Sequence, residues 1–450
     1  MSLPQSTRTP FNRRLFLSLA AAGGMSATLA ACGGGTSPRD GADPVAATGD
    51  GGAGGYDGPA VDLAFWNGFT GGDGPTMKAL VDTFNSEHGN IAVTMTTMQW
   101  ADYYSRLPSA VTSGNGPDIG IMHLDSVATN AARNVIQPLD DVASALELAE
   151  ADFATVPWQA GIYDGQRFAI PLDVHPLGFY YNKDVMEEAG LDPEAPPTDN
   201  DSYMAALEDL KAAGIEGHWA SPFPFTGGLT LQALIYQFGG SLFNEDGTQV
   251  TWGEAPGVEA LTWWVDLAKN GHSPANVDQD ADYVALKNGT TAFNWNGIWQ
   301  INDLKQSDIS WGVAPLPNIG GSGGVWAGSH QFVLPRQRSE DANKAQASRV
   351  FLSWISEQSQ AWAEAGQVPA RNSARETPEF EALPEQAALA EQLDDLRFIP
   401  TVPGIADCMA EFDRALNEAV LSGAEPEAIL ADTASRAQTI LDENASRYSG

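Results

Sequence analysis

Residues 170–191 read Ile170-Pro171-Leu172-Asp173-Val174-His175-Pro176-Leu177-Gly178-Phe179-Tyr180-Tyr181-Asn182-Lys183-Asp184-Val185-Met186-Glu187-Glu188-Ala189-Gly190-Leu191. An apolar run is broken at Pro171 and again at Pro176. A β-rich run from Leu177 to Tyr181 then feeds a short helix from about Lys183. A polar Asp-x-His between two prolines is poor material for a central strand, because proline lacks the N–H that a ladder needs. The segment suits a crossing between two rigid bodies, with His175 facing the cleft between them. An ordinary strand–turn–helix junction fits the same residues taken alone.

The chain around it has 450 residues, enough for two or three domains. It carries 58 acidic against 23 basic side chains, a net charge of −35. Such a chain repels nucleic-acid phosphates, so nucleic acid is not an expected partner. The plain reading of the acidity is a strongly solvated secreted surface.

The amino terminus is an address. Asn12-Arg13-Arg14-Leu15-Phe16-Leu17 precedes an Ala-rich apolar run to Ala31, and no acid occurs before Asp40. This is the layout of a bacterial or archaeal export signal over residues 1–31, similar to the twin-arginine type. Leu29-Ala30-Ala31-Cys32 is similar to a lipobox, in which Cys32 is lipidated and anchors the chain to the membrane. Cleavage there removes three arginines and no acid, so the net charge becomes −38. Residues 32–58 are rich in Gly, Asp, Ser and Thr and read as a flexible tether. The second cysteine, Cys408, is then left without an intramolecular disulfide partner. No other segment reaches about 18 consecutive apolar residues.

From Val61 the chain alternates strand and helix. Val61–Trp66, Ile91–Thr97 and Ile119–Met122 read as strands, and helical spacing fills the gaps, with Pro108 expected to kink the second helix. This β-α-β-α-β order predicts a mainly parallel sheet covered by helices. Ligands sit at the carboxyl ends of such strands, which puts Trp66, Asn67, Gln99, Trp100 and His123–Asp125 at one rim. After the opening stretch the alternation restarts, and from Met409 the tail is helical.

Catalytic motifs are poorly supported. Gly49–Gly54 fits G-x-G-x-x-G, but no strand precedes it. Gly320–Gly324 fits G-x-S-x-G, but it lies in a glycine loop with no helix pattern after it. The six histidines (88, 123, 175, 218, 272 and 330) show no i, i+4 pair and no H-E-x-x-H, so no metal site is predicted. No cofactor motif occurs. Thirteen tryptophans are more informative. Trp295 and Trp299 flank Asn296-Gly297 where a strand ends, and flat indoles beside amides and carboxylates suit a pyranose ring. Trp354 reads as core.

At these residues the chain resembles the extracellular solute-binding proteins of sugar ABC importers, the family of the maltose- and trehalose-binding proteins. The resemblance covers roughly residues 61–443. It rests on Gly116-Pro117-Asp118-Ile119, Ile170-Pro171 through Tyr180-Tyr181-Asn182-Lys183-Asp184, Phe293-Asn294-Trp295-Asn296-Gly297-Ile298-Trp299, Gly312-Val313-Ala314-Pro315-Leu316-Pro317, and Gly366-Gln367-Val368-Pro369-Ala370-Arg371, in that order.

The resemblance implies a two-lobed α/β fold of the periplasmic-binding-protein type, each lobe a mainly parallel sheet flanked by helices, with the cleft between. Lobe one would hold 59–173 and 334–390, lobe two 174–333 and 391–450. Trp299 would stack on a sugar. The place where relatives often carry a carboxylate holds His175, so Asp173 is the alternative hydroxyl ligand. Trp66, Asn67, Gln99, Asp125 and Arg371 would come from lobe one. Trp295, Asn296, Trp326, Gly328 and Ser329 would come from lobe two. The expected function is capture of a di- or oligosaccharide by a monomeric lipoprotein and its delivery to permease subunits, with no bond made or broken. A secreted carbohydrate-active enzyme, or a receptor for glycerol-phosphate or polyamine, is the alternative.

Overall fold

Strand β1 (Val61–Asn67) lies between β2 (Ile91–Thr97) and β3 (Ile119–His123) and pairs with both in parallel. Val61 sits opposite Ile91, and Phe65 opposite Ile119. Parallel neighbours cannot be joined by a tight turn, so helices α1 (Gly74–Glu87) and α2 (Trp100–Ser113) make the connections. Pro75 sits in the first turn of α1, where its missing N–H costs nothing, and Met77, Leu80, Val81 and Phe84 face inward. Helix α2 runs on past Pro108 to Ser113 and closes on Gly114 in the left-handed conformation, φ 80°. The computed structural model describes residues 55–448. The expected export signal, Cys32 and most of the tether lie outside the described residues.

The opening stretch forms β4 (Ile170–Pro171) and β5 (Asp173–Asn182). The break expected at Pro176 does not occur. Pro176 pairs with Ala327, whereas on the other flank the neighbouring strands pair only up to Val174 and again from Leu177. A proline is tolerated where one flank carries no ladder bond. β5 is the centre of a second sheet. β6 (Phe293–Gly297), β7 (Trp311–Ala314), β8 (Val325–Gly328) and β10 (Val368–Pro369) all run antiparallel to it. Between β8 and β10 the chain forms β9 (His330–Val333), which returns to the first sheet between β3 and β4, in the order β2-β1-β3-β9-β4.

Both sheets are therefore mixed rather than mainly parallel, and the second is dominated by antiparallel pairs. The cause is the crossings. A strand returning from the other lobe enters at the rim where β3 ends, so β9 must run against β3, with His330 opposite His123. The same pairing puts His330–Val333 in the first sheet, so the division expected after Val333 falls one strand late.

Each sheet has its own core. The first packs Leu63, Phe65, Phe84, Ile121, Phe332 and Phe351 together, with Trp354 lying against this cluster and donating to Glu87 at 2.8 Å. The second gathers Phe179, Tyr203, Trp264, Phe293 and Trp295 with Phe412, Leu416 and Leu430 of the helical tail. Cys408 is free and buried at the head of that tail, and burial pushes its thiol up to about 12. Among the described residues no helix is long and apolar enough to cross a membrane.

Candidate functional site between the two sheets

Three crossing points converge on one spot. β3 ends at His123, β9 begins at His330, and β5 carries His175 two residues after entering the second sheet. Their ring centroids lie 4.2 Å (His175–His330), 5.2 Å (His123–His330) and 5.7 Å (His123–His175) apart.

Asp173 holds two of these rings. Its carboxylate accepts from His175 Nδ1 at 3.0 Å, His330 Nδ1 at 2.8 Å, the His330 backbone N–H at 2.9 Å and Trp362 Nε1 at 2.8 Å. Burial alone would raise its pKa, but His330 and His175 hold it far below the ordinary carboxylate range. An ionised carboxylate only accepts, so both imidazoles donate from Nδ1. Four bonds use its acceptor positions, and the residue is 0 % exposed. Asp173 is thus the group that orients the imidazoles, and the expectation that it meets a hydroxyl itself is corrected. His123 is fixed by Tyr104, whose Oη lies 2.8 Å from His123 Nδ1 and accepts the His123 backbone N–H at 2.8 Å. Burial, then the neighbouring His330 and His175, push His123 well below the usual imidazole range. Burial and His330 bring His175 down to about 4.

Aromatic rings frame the cluster. Trp100 stacks on His330 at 5.6 Å, and Phe69 meets the same ring edge-on at 4.9 Å. From the second sheet, Trp299 lies 5.9 Å and Trp326 5.8 Å from His175. Trp299 folds back across Gly297, where any Cβ would collide with the indole. This explains the Asn-Gly-x-Trp order locally. A Cβ added to Gly71 of the first lobe would lie 3.6 Å from the same indole, so Trp299 marks where the two rims meet. Gly328 pairs with His175 across β8 and β5, and a side chain there would strike His175 Nε2.

Several buried polar atoms here lack partners. Asn67 accepts from the Phe69 N–H and Thr97 Oγ1, but its Nδ2 is unpaired. Asp73 accepts from Gln367 Nε2 at 3.2 Å, while its Oδ1 and Gln367 Oε1 are unpaired. Burial pushes Asp73 up to about 6 against the pull of His330. Asp125 Oδ1 is likewise unpaired, and burial raises its carboxyl to about 6. Buried polar atoms without partners cost about 1–3 kcal/mol each, so a site that keeps several is shaped for something that satisfies them.

The fold therefore gathers His175, Trp299, Trp326, Gly328 and Asp173 at one place, and Asn67 lies at the end of β1, bonded to Phe69 and Thr97. Ser329 is buried beside them and accepts from Gln331 Nε2 at 2.9 Å. Trp66 is half-buried against the cluster that includes Tyr103, Leu107 and Met122, and Gln99 is exposed at the head of α2. Other expected residues stand elsewhere. Trp295 is 1 % exposed and packs on Tyr203, His218 and Trp263 inside the second core. Strand pleating puts it on the face of Phe293 and Phe179, which excludes it from the cleft. Asn296 is buried with Asn294, which itself donates to Asp282. Arg371 lies over Phe153 at 5.1 Å and donates to Ser356, away from the imidazoles. Sequence reading missed Phe69, Asp73, Tyr104, His330, Trp362 and Gln367. Gln367 lies within the Gly366–Arg371 run without being singled out, the others lie in no spacing motif, and only the pairing of β9 with β3 brings His330 in. A shallow cavity of about 500 Å³ lined by Lys305, Trp311 and Glu385 lies apart from this cluster.

Two α/β lobes whose rims pool indoles, imidazoles and unpaired amides define a two-lobed binding protein. The chain belongs to the bacterial extracellular solute-binding protein family, whose model matches residues 79–388. It is 23% identical over 381 residues to a binding protein of Brucella abortus (strain 2308), covering 82% of this chain and 90% of that one. Its fold is similar to the GacH receptor of Streptomyces glaucescens, solved unliganded and with acarbose (TM-score 0.77, 21% identity, 86% of this chain and 100% of that one). It is also similar to the cyclic alpha-maltosyl-1,6-maltose binding protein of Arthrobacter globiformis (TM-score 0.68, 25% identity, 86% and 100%).

Proposed function

We propose that this chain is the solute receptor of an ABC importer and captures a sugar, a di- or oligosaccharide, between its lobes for delivery to permease subunits. One observation carries the reading. The indole of Trp299, packed on that of Trp326, stands beside Asp73 Oδ1 of the other lobe, a buried atom that lacks a partner, as does Oε1 of Gln367, which donates to Asp73. Indole faces match the C–H faces of a pyranose, and the free amide and carboxyl match its hydroxyls. The structural relatives solved with acarbose, or named for a cyclic maltosyl-maltose, support a sugar over other solutes. A phosphate ester would need a cation, and Arg371, whose Nη2 donates to Ser356 while its Nε has no partner, lies over Phe153 rather than among the indoles.

Binding bridges the rims and favours closure only by the ligand's differential affinity for the closed form. The receptor acts as a monomer, makes and breaks no bond, and is held outside the cell by a lipid on Cys32 after export through the twin-arginine signal. A thermal-shift series over sugars tests the ligand class. A bound sugar at 100 times its Kd adds about 2.7 kcal/mol of apparent stability. A transition moved by another solute class and by no carbohydrate refutes the sugar reading. Shortened glycan products after incubation would refute the non-enzymatic one. Mass spectrometry of the Cys32 peptide from membranes checks the anchor.

A further inference from the structure

We propose that His123, His175 and His330 together bind one divalent transition-metal ion of the zinc class at the junction of the two sheets. The inference goes beyond sugar capture and stands on four observations. First, one nitrogen from each of the three rings lies within 4.8 Å of those of the other two. Three imidazoles on a tetrahedral zinc, with Zn–N of about 2.0–2.1 Å, hold their nitrogens roughly 3.3 Å apart. Small rotations of the rings close that difference.

Second, the outer partners are in place. Asp173 accepts from Nδ1 of both His175 and His330, and Tyr104 Oη meets Nδ1 of His123. That leaves Nε2 as the coordinating nitrogen of each ring. A carboxylate or another fixed acceptor behind each metal-bound imidazole sets its tautomer and raises its basicity. Third, Gly328 faces His175 Nε2, and a side chain there would collide with that atom. A glycine at 328 thus leaves that nitrogen free of a crowding side chain. Fourth, the donors come from both lobes, His123 and His330 from the first sheet and His175 from the second. An ion here ties the rims together. Three neutral imidazoles suit zinc, cobalt, nickel or copper rather than calcium or magnesium, which prefer oxygen. With three protein ligands, a fourth position is left for water or a solute oxygen.

The test uses the full chain, stripped by a chelator and titrated with Co²⁺ alone, with no sugar present. The expected result is one Co²⁺ per chain with the visible absorption of a low-coordinate nitrogen site, displaced by Zn²⁺ but not by excess Mg²⁺. His175→Gln and His330→Gln should each weaken binding at least 100-fold. Tyr104→Phe, which removes an outer partner, should weaken it about 10- to 100-fold. Circular dichroism in chelator checks that the variants fold. X-ray absorption of the zinc-loaded parent reads imidazole donors without any substitution. Binding that Mg²⁺ displaces and that His175→Gln leaves unchanged would assign the metal to surface carboxylates and overturn the proposal, as would an oxygen-only shell. Because sugar takes no part, failure here is separate from failure of the sugar reading.

Discussion

Replacing Asp173 with Asn tests whether this carboxylate holds the junction together. Oδ1 accepts from His175 Nδ1 and the His330 backbone N–H; Oδ2 accepts from His330 Nδ1 and Trp362 Nε1. Asparagine keeps one oxygen and turns the other into a donor. Each side of the carboxylate carries one imidazole and one donor that cannot change. The imidazole can move its proton to Nε2 and accept, but the backbone N–H and the indole cannot. Whichever way the amide turns, one fixed donor is stranded in a site that is 0 % exposed. A stranded buried donor costs about 1–3 kcal/mol, and losing charge assistance on the remaining bonds adds to it. The sum is about 3–5 kcal/mol, the range seen when one partner of a buried charged network is removed.

Urea unfolding should show a lower midpoint with an unchanged slope, since the same surface is exposed on unfolding. Trp362→Phe alone should cost about 1–2 kcal/mol, because only one donor is lost. The double variant should cost at least about 1 kcal/mol less than the sum of the two, because both act on one network. An Asp173→Asn midpoint within about 1 kcal/mol of the parent, or strict additivity with Trp362→Phe, would refute the reasoning.

Further outcomes follow from the same geometry. Trp299→Ala should weaken sugar binding of the folded chain by about 2–3 kcal/mol, roughly 30- to 150-fold; calorimetry reads the affinity. Trp295→Ala should cost about 3–5 kcal/mol of stability with sugar affinity of the folded chain unchanged, because this indole fills the second core. Burial pushes Asp413 up to about 7. A raised carboxyl favours the folded state below its unfolded pKa of about 4, and the benefit is lost as pH rises to about 7. Asp413→Asn should therefore gain about 1–3 kcal/mol at pH 8 and flatten the urea-midpoint profile between pH 4 and 7, with a discount for partial exposure.

The pattern Leu177–Tyr181, the β-α-β-α-β order after Val61 and the amphipathic tail could be read from the chain because strand and helix periods are local properties. For the same reason the sequence placed Trp299 beside a strand end, and Gly297 then lets its indole fold back. Trp295 was within reach of the same logic, since alternation with Phe293 puts it on the core face.

What the sequence could not supply is pairing. Spacing along the chain separates His123, His175 and His330 widely, and no rule of i and i+4 connects them. They meet because β9 returns antiparallel to β3 and β5 leaves β4 at the same rim. The family resemblance implied Asp173 as the alternative hydroxyl ligand, because relatives often carry a carboxylate where this chain has His175. The tertiary structure surrounds it with four donors, and a carboxylate so occupied has nothing left to offer a solute. Residue types and local periods are written in the chain. Which donors face which acceptors is decided only when strands far apart in sequence come within hydrogen-bonding distance.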